Sequence, residues 1–316
     1  MKDLYLSLLV LLVVGVHGEV VIVATEKGLV EADEASERSI LRYENATAVS
    51  GHRTVALAAD PLDSKVFYSL PLLTPDGRMI TRLKHVNVWQ GVSPNPQPVS
   101  LSLEDTSVGH IRGLAYNDKT KTLYWTDMLG HSIWQCAPHD GCQHPTALMR
   151  LPEGKEPAAI AVDPCRGHLY WTDNNHTSPS INRIRIQRKK SSVIVRDDLF
   201  MPNGIAVDPS GRGRIYWTDD SEGDGYKIES ADTDGGNRRT ELRGFYQSPM
   251  DLAFSPPTPE APKGALYWSD WTSHAVWTLD LDDKDKGVRA MSFRGSHRDL
   301  PMGVLLKSSL TNRTAC

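Results

Sequence analysis

The sequence predicts an all-β fold, a six-bladed β-propeller of four-stranded blades whose ring is closed by its N-terminal strands. Three observations predict it. The pattern Leu-Tyr-Trp-Thr-Asp occupies Leu123–Asp127 and Leu169–Asp173, returns at Ile215–Asp219 with Ile for Leu, and at Leu266–Asp270 with Ser for Thr. Its tyrosines, Tyr124, Tyr170, Tyr216 and Tyr267, stand 46, 46 and 51 residues apart. A period of roughly 40–50 residues containing strand-like segments marks a radial repeat, not copies of an active site. The second observation is a short apolar run ahead of each motif, and the third is an inner-strand pattern at the C-terminal end with no aromatic strand after it.

The elements follow in order within a repeat. Gly113–Tyr116, Ala159–Val162, Gly204–Val207 and Asp251–Phe254 are short apolar runs with small residues, suited to the crowded strand nearest an axis. Asp163-Pro164, Asp208-Pro209 and Ser255-Pro256 close those strands, because proline cannot extend a central ladder. The aromatic strand comes next. Its alternation sends Tyr and Thr to one face and Trp and Asp to the other, so large rings fill the space between blades. Third strands read at Ser132–Trp134, Ile181–Ile184, Lys227–Glu229 and Ala275–Trp277, and polar turns such as Asp234–Gly236 lead to fourth strands.

A degenerate repeat precedes these, with Ala56–Pro61 as inner strand, Val66–Ser69 as aromatic strand and a Pro-rich insertion at Ser93–Pro98. Met302–Leu306 is the orphan inner strand. Glu19–Thr25, Gly28–Glu31 and Ser39–Tyr43 read as three strands that complete its blade and remove the open sheet edge.

Residues 4–16 form an apolar run of 13 residues behind Lys2, too short to cross a bilayer as a helix. Val16 and Gly18 supply the small residues of a cleavage site, so 1–18 read as a secretory signal and 19–310 as one domain. No later segment reaches the length of a membrane helix, so no span is expected in this chain. A net charge of −4 gives no global basic field for nucleic acid. Asn45, Asn175 and Asn312 head glycosylation sequons. The four cysteines, Cys136, Cys142, Cys165 and Cys316, fit neither zinc nor redox spacing. Cys136 and Cys142 flank a hairpin turn and can meet the roughly 4.4–6.8 Å Cα separation of a disulfide. No firm bridge is expected between Cys165 and Cys316.

These repeats resemble the YWTD β-propellers of the LDL-receptor family over essentially residues 19–310. The stretch Val162–Cys165, Leu169–Asp173 and Thr177–Ile181 looks closer still to insect receptors of that kind. The resemblance implies an extracellular, non-enzymatic binding module with a role in germ-cell development. It also implies EGF-like modules and a membrane helix after the propeller. Residues 311–316 would be the start of an EGF-like module, and a longer form would be membrane-anchored. A fragment of an endocytic-receptor or matrix protein is the second reading.

An enzyme of another class, a calcium-dependent six-bladed hydrolase, is the third. Pro202–Ala206 looks locally like a metal-ligand loop. The equivalent axial positions are Val55, Arg112, Ala158, Asn203, Met250 and Met302. Calcium needs several converging oxygens, and this ring has too few, so no metal and no cofactor are expected. Asp127, Asp173, Asp219 and Asp270 recur at a fixed strand position and therefore read as scaffold that accepts backbone N–H groups. Asp220–Gly225 mimics the start of a calcium loop but lacks the closing glutamate, and reads as a polar loop. Arg183, Arg185, Arg188, Lys189 and Lys190 form a basic hairpin, and Asp280, Asp282, Asp283 and Asp285 an acidic one. Both read as solvated rim, with a glycosaminoglycan contact the functional alternative at the basic hairpin. The histidines show no ligand spacing.

Binding is expected where repeats diverge, on the face shared by the loops before each inner strand and after each aromatic strand. The second loop set includes Met128, Leu129, Asn174, Asp220, Glu222 and Trp271. The ligand-face candidates are Arg112, Asn203, Met250, Trp271 and Met302, facing a protein ligand or a neighbouring EGF-like module.

Overall fold

The computed structural model describes residues 20–25, 28–33, 38–44, 56–63, 65–73, 76–77, 79–87, 99–101, 109–210, 213–221, 223, 225–259, 261–283, 287–292 and 303–306. The signal segment 1–18, Asn45, Val55, Glu222, Met302, Asn312 and the tail 311–316 lie outside the described residues.

The N-terminal strands are β1 (Val20–Thr25), β2 (Gly28–Asp33) and β3 (Arg38–Glu44). The degenerate repeat gives β4 (Leu57–Asp60), β5 (Lys65–Leu73), β6 (Met79–Asn87) and β7 (Val99–Ser100). The four motif repeats give β8 (Ile111–Asn117), β9 (Thr122–Asp127), β10 (Ser132–Cys136) and β11 (Thr146–Arg150), then β12 (Pro157–Asp163), β13 (His168–Asp173), β14 (Ser180–Arg185) and β15 (Lys190–Val195). They continue with β16 (Met201–Asp208), β17 (Arg214–Asp220), β18 (Gly225–Asp232) and β19 (Arg239–Phe245), then β20 (Pro249–Ser255), β21 (Ala265–Asp270), β22 (Ala275–Asp280) and β23 (Arg289–Ser292). β24 (Gly303–Leu306) is last. The described strands form six four-stranded sheets of antiparallel neighbours. β24 pairs with β1 through Val21–Leu306, Ile22–Leu305, Val23–Val304 and Ala24–Gly303, in a sheet of order β24-β1-β2-β3. The architecture is an all-β propeller with four-stranded blades.

Hydrophobic cores lie between neighbouring sheets, as the alternation of the motif requires. Trp125 and Leu123 pack back on Phe67 and Leu83, while Tyr124 packs forward with Leu169 and Trp171. Tyr170 then meets Ile215 and Trp217, and Tyr216 meets Leu266 and Trp268. Tyr267 packs with Val23 and Val304, and Ile22 and Ala24 with Val66 and Tyr68. Trp125, Trp217 and Trp268 are fully buried.

The motif threonines bridge blades. Thr126 Oγ1 accepts from the Gly113 N–H at 2.9 Å and donates to the Ala158 carbonyl of the next inner strand at 2.5 Å. Thr172 Oγ1 accepts from Ala159 N–H at 3.0 Å and donates to the Asn203 carbonyl at 2.7 Å. Thr218 repeats the contact with Gly204 N–H, at 2.8 Å, and the Pro249 carbonyl, at 3.4 Å. The inner strands β8, β12, β16 and β20 each carry a bulge at this level, where register shifts between Ile111 and Gly113, Pro157 and Ile160, Pro202 and Ile205, and Pro249 and Asp251. A Cβ on Gly113 would stand 2.7 Å from the Ala158 carbonyl oxygen, so the neighbouring backbone selects a small residue there.

Two departures from expectation have physical causes. Asp280 is buried rather than solvated, because its carboxylate closes the turn after β22 by accepting from the Asp282 N–H at 2.8 Å. Asp60, Asn117 and Asp163 close the turns after the inner strands β4, β8 and β12 with the same kind of contact. The Cys136–Cys142 disulfide forms, with a Cα separation of 5.1 Å. Cys165 is disulfide-bonded as well, against the expectation of no firm bridge between Cys165 and Cys316; Cys316 itself lies outside the described residues.

Thr172→Val keeps shape but strands the part-buried Ala159 N–H and the buried Asn203 carbonyl. Urea unfolding should show a loss of about 1–3 kcal/mol. Trp171→Ala, which empties an inter-blade core, should cost about 3–5 kcal/mol.

Candidate functional site

The motif aspartates hold the loops of the axial face. Asp127 accepts from the N–H groups of Gly109, His110 and Gly130, tying the loop before β8 to the turn after β9. Asp173 accepts from Glu156 and Asn175 and ion-pairs with Lys155 at 3.0 Å. Asp219 takes Phe200 and Met201, and Asp270 takes Ser248, Thr272 and Ser273. These carboxylates are therefore committed to backbone, as the fixed strand position implies.

Three predicted ligand-face residues come together. Arg112, Asn203 and Met250 line one axial cavity with Ala158, and all of them stand in the bulges of inner strands rather than on loops. The reason is the threonine bridge, which extends each inner strand two or three residues beyond the apolar run. Asn203 is buried, 4% exposed. Trp271 is not among the cavity's lining residues. It sits partly buried in the turn after β21, its N–H bonded to the Ser248 carbonyl at 3.1 Å.

The cavity measures about 30 Å³, room for about one water molecule. No drug-sized ligand fits there. The opposite end of the axis opens into a basin of about 700 Å³, lined by Pro61, Tyr116, Pro164, Pro209, Phe254 and Pro256 among others. Leu57, Leu114, Ile160 and Asp251 border both spaces, so they form the constriction of one axial channel.

Asp251 was not singled out as a site residue. It occupies the bulge position held by Gly113, Ala159 and Gly204 in other repeats, and that departure is its signal in the sequence. Its oxygens accept from the N–H groups of Leu252 at 2.9 Å and Val304 at 3.1 Å. Burial pushes its carboxyl up to about 6, against those bonds and the charge of Arg112. Burial also pulls the Arg112 guanidinium below its ordinary value, with Asp251 opposing. The axis thus carries a carboxylate, contrary to the expected ring of one cation, one amide and apolar groups.

Sequence reasoning also missed the exposed apolar side chains of this face. Phe200 is 44% exposed just before β16, and Phe245 and Tyr246 are 73% and 75% exposed just before β20. Leu129, in the second loop set, is 59% exposed. Tyr246 also holds φ at 63°, a left-handed conformation that a bulky residue seldom adopts. The signal available was an aromatic pair, Phe245-Tyr246, at the end of an outermost strand and a few residues ahead of an inner one.

Elsewhere, Asn175 forms the Asx turn of its sequon. Its Oδ1 accepts from the Thr177 N–H at 3.0 Å and hydroxyl at 2.7 Å. At the base of the Asp220 loop the Ser221 N–H donates to the Gly225 carbonyl at 2.9 Å.

With this geometry in view, residues 167–209 and 213–253 match the family model described as low-density lipoprotein receptor repeat class B. The chain carries low-density lipoprotein receptor class B repeats. It is 37% identical over 169 residues to protein cueball of Drosophila erecta, covering 53% of this chain and 25% of that one. It is 35% identical over 181 residues to protein cueball of Drosophila yakuba, covering 57% and 27%. The chain thus spans about a quarter of the length of the curated relatives it matches. Among solved structures, the chain is similar to a chain of a nidogen/laminin complex, with TM-score 0.72, 20% identity and coverage of 94% and 100%. A 6-phosphogluconolactonase-like protein of Bacteroides uniformis matches at TM-score 0.54 and 13% identity, covering 92% and 99%. Both structural likenesses concern fold.

Asp220, on this face, gives the fold an expected pH dependence. Burial pushes its carboxyl up to about 7 against a 3.2 Å hydrogen bond from Ser248, and the Asp219 and Asp270 carboxylates add to the rise. The unfolded chain binds this proton only near 3.8, so the folded state holds more protons in between. Stability should therefore rise as pH falls from about 7 toward 3.8. Asp220→Asn should remove that part of the slope and raise the melting temperature above neutrality. Thermal melts across pH check both.

Proposed function

We propose that this chain is a non-enzymatic extracellular binding module, built as a six-bladed ring and recognising protein through the axial face. The observation that carries this reading is the set of exposed apolar side chains, Leu129, Phe200, Phe245 and Tyr246, on the end of the disc that also bears Arg112, Asn203 and Met250. Exposed aromatics around a polar centre are the composition of interface anchors, worth about 2 kcal/mol or more each when buried in a complex. The axial cavity is too small for a metabolite, so this end offers a surface rather than a pocket. The strained Tyr246 adds a second argument, since uncommon backbone conformations concentrate where a side chain must be presented.

The similarity to a propeller solved in a nidogen/laminin complex and to protein cueball supports a protein partner and an extracellular setting. A role in germ-cell development belongs to the same proposal, as do glycans at Asn45, Asn175 and Asn312 and a neighbouring EGF-like module. The hydrolase reading has Asn203 and Asp251 near the axis in its favour. Asp251 is occupied by two backbone donors, and no lactone hydrolysis is expected with added Ca²⁺.

The test uses the full chain fused to a reporter enzyme and recovered from culture medium. It should bind cell surfaces saturably in the presence of excess free heparin. Phe245→Ser with Tyr246→Ser should weaken binding at least tenfold, while Arg188→Glu on the outer hairpin should not. Tyr246→Gly should weaken binding without lowering the melting temperature, since glycine relieves the left-handed backbone. Loss of binding in the Arg188 variant alone would move the site to the rim. Lactone turnover abolished by Asn203→Ala would overturn the non-enzymatic reading.

A further inference from the structure

We propose that the groove on the outer half of the β12–β15 sheet is a binding site for a sulfated polysaccharide chain. The inference starts from register. His168, Arg185 and Lys190 are cross-strand partners along β13, β14 and β15, as are Tyr170, Arg183 and Ser192. Directly paired residues share a sheet face. His168, Arg183, Arg185, Lys190 and Ser192 therefore stand together on one side of the blade.

That side faces the next sheet. Toward the Asp173 end of the strands it is filled, with Tyr170, Ile181 and Val195 packed against Ile215, Trp217 and Ala231. Toward the His168 end the two sheets part. Arg183 Nη1 reaches across to the Thr233 carbonyl at 2.9 Å, marking the boundary of a groove of about 350 Å³. The groove is lined by His168, Arg183, Arg185, Arg188, Lys190 and Ser192, with Ser191 beside them. Arg188 is brought to it by a 3-10 turn, Ile186–Arg188, closed by Lys189 at φ 48° and by the Lys189 N–H bond to the Ile186 carbonyl.

Charge is uncompensated here. The flanking carboxylates are engaged elsewhere, Asp163 with Arg166 at 3.0 Å and Asp232 with Arg214 at 3.0 Å. Among the described residues no carboxylate ion-pairs with Arg183, Arg185, Arg188 or Lys190. Burial and the charges of Arg183 and Arg185 pull His168 below its ordinary value, with Asp163 opposing and Arg166 adding to the fall. The field in the groove is thus positive although the whole chain carries −4.

Guanidinium forks beside hydroxyl donors match the oxygens of sulfate and phosphate esters. Arg185, Arg188 and Lys190 are exposed, and β15 is the outermost strand of its sheet, so an extended polymer can lie along the edge. The choice of a sulfated polysaccharide over a phosphate-bearing source rests on the extracellular reading above. The positive groove itself does not.

The test is salt-gradient elution of the full chain from immobilised heparin, with desulfated heparin and phosphatidylserine vesicles as comparison probes. Retention near 0.15 M salt and release at higher salt are expected, because exposed charge pairs are screened. Arg185→Glu with Arg188→Glu should weaken heparin binding roughly tenfold or more at an unchanged melting temperature, as befits loss of two charge-assisted contacts. Phe245→Ser should elute with the parent. Retention of the double variant with the parent, or equal retention on desulfated heparin, would overturn the site. Vesicle binding as tight as heparin binding and equally sensitive to the double variant would overturn the polysaccharide assignment. A chain that binds heparin as expected but stays inside expressing cells would contradict the extracellular reading alone.

Discussion

The ring depends on a hydroxyl that serves two sheets at once. In each full motif the threonine accepts from a bulge amide of its own inner strand and donates to a backbone carbonyl of the next. Serine keeps the first half of this role, Ser69 with the Ala56 amide and Ser269 with the Asp251 amide. Buried backbone groups left without partners are costly, so the hydroxyl decides where each bulge forms and how closely the sheets approach. Glycine or alanine at the bulge follows, because the neighbouring strand occupies the space of a larger side chain.

The tyrosine and tryptophan extend the same contact outward by filling both sides of the blade. The aspartate extends it upward by gathering the amides of the loops that build the axial face. Every residue of the motif is thereby committed. The side chains left to vary are those at the bulge mouths and loop tips, and there the exposed aromatics, Arg112 and Met250 are found. Scaffold and variable face are separated by position within the repeat.

Much of this was legible in the sequence. Period and alternation placed the aromatic strands, the inter-blade cores and the pairing of residues 20–25 with 303–306. The axial positions Arg112, Asn203 and Met250 were legible because repeats can be aligned on themselves. The bulges were not, since an apolar run does not reveal where a hydroxyl from the next strand will hold it open. Asp251 escaped notice for that reason. Phe245, Tyr246 and Phe200 were hidden because exposure is decided by loop paths, which carry no period. The basic hairpin was visible, but its union with His168 and Ser192 in one groove depends on three-strand register.

Hydrogen exchange at the amide of Ala159 tests the central claim most directly. If the Thr172 hydroxyl couples the blades, this amide exchanges slowly in the parent. It should become much faster in the Thr172→Val chain, together with amides of the inner strand Met201–Asp208, while those of Ile111–Asn117 hardly change. Exchange at Ala159 that is unchanged by the substitution, or accelerated equally across all inner strands, would contradict it.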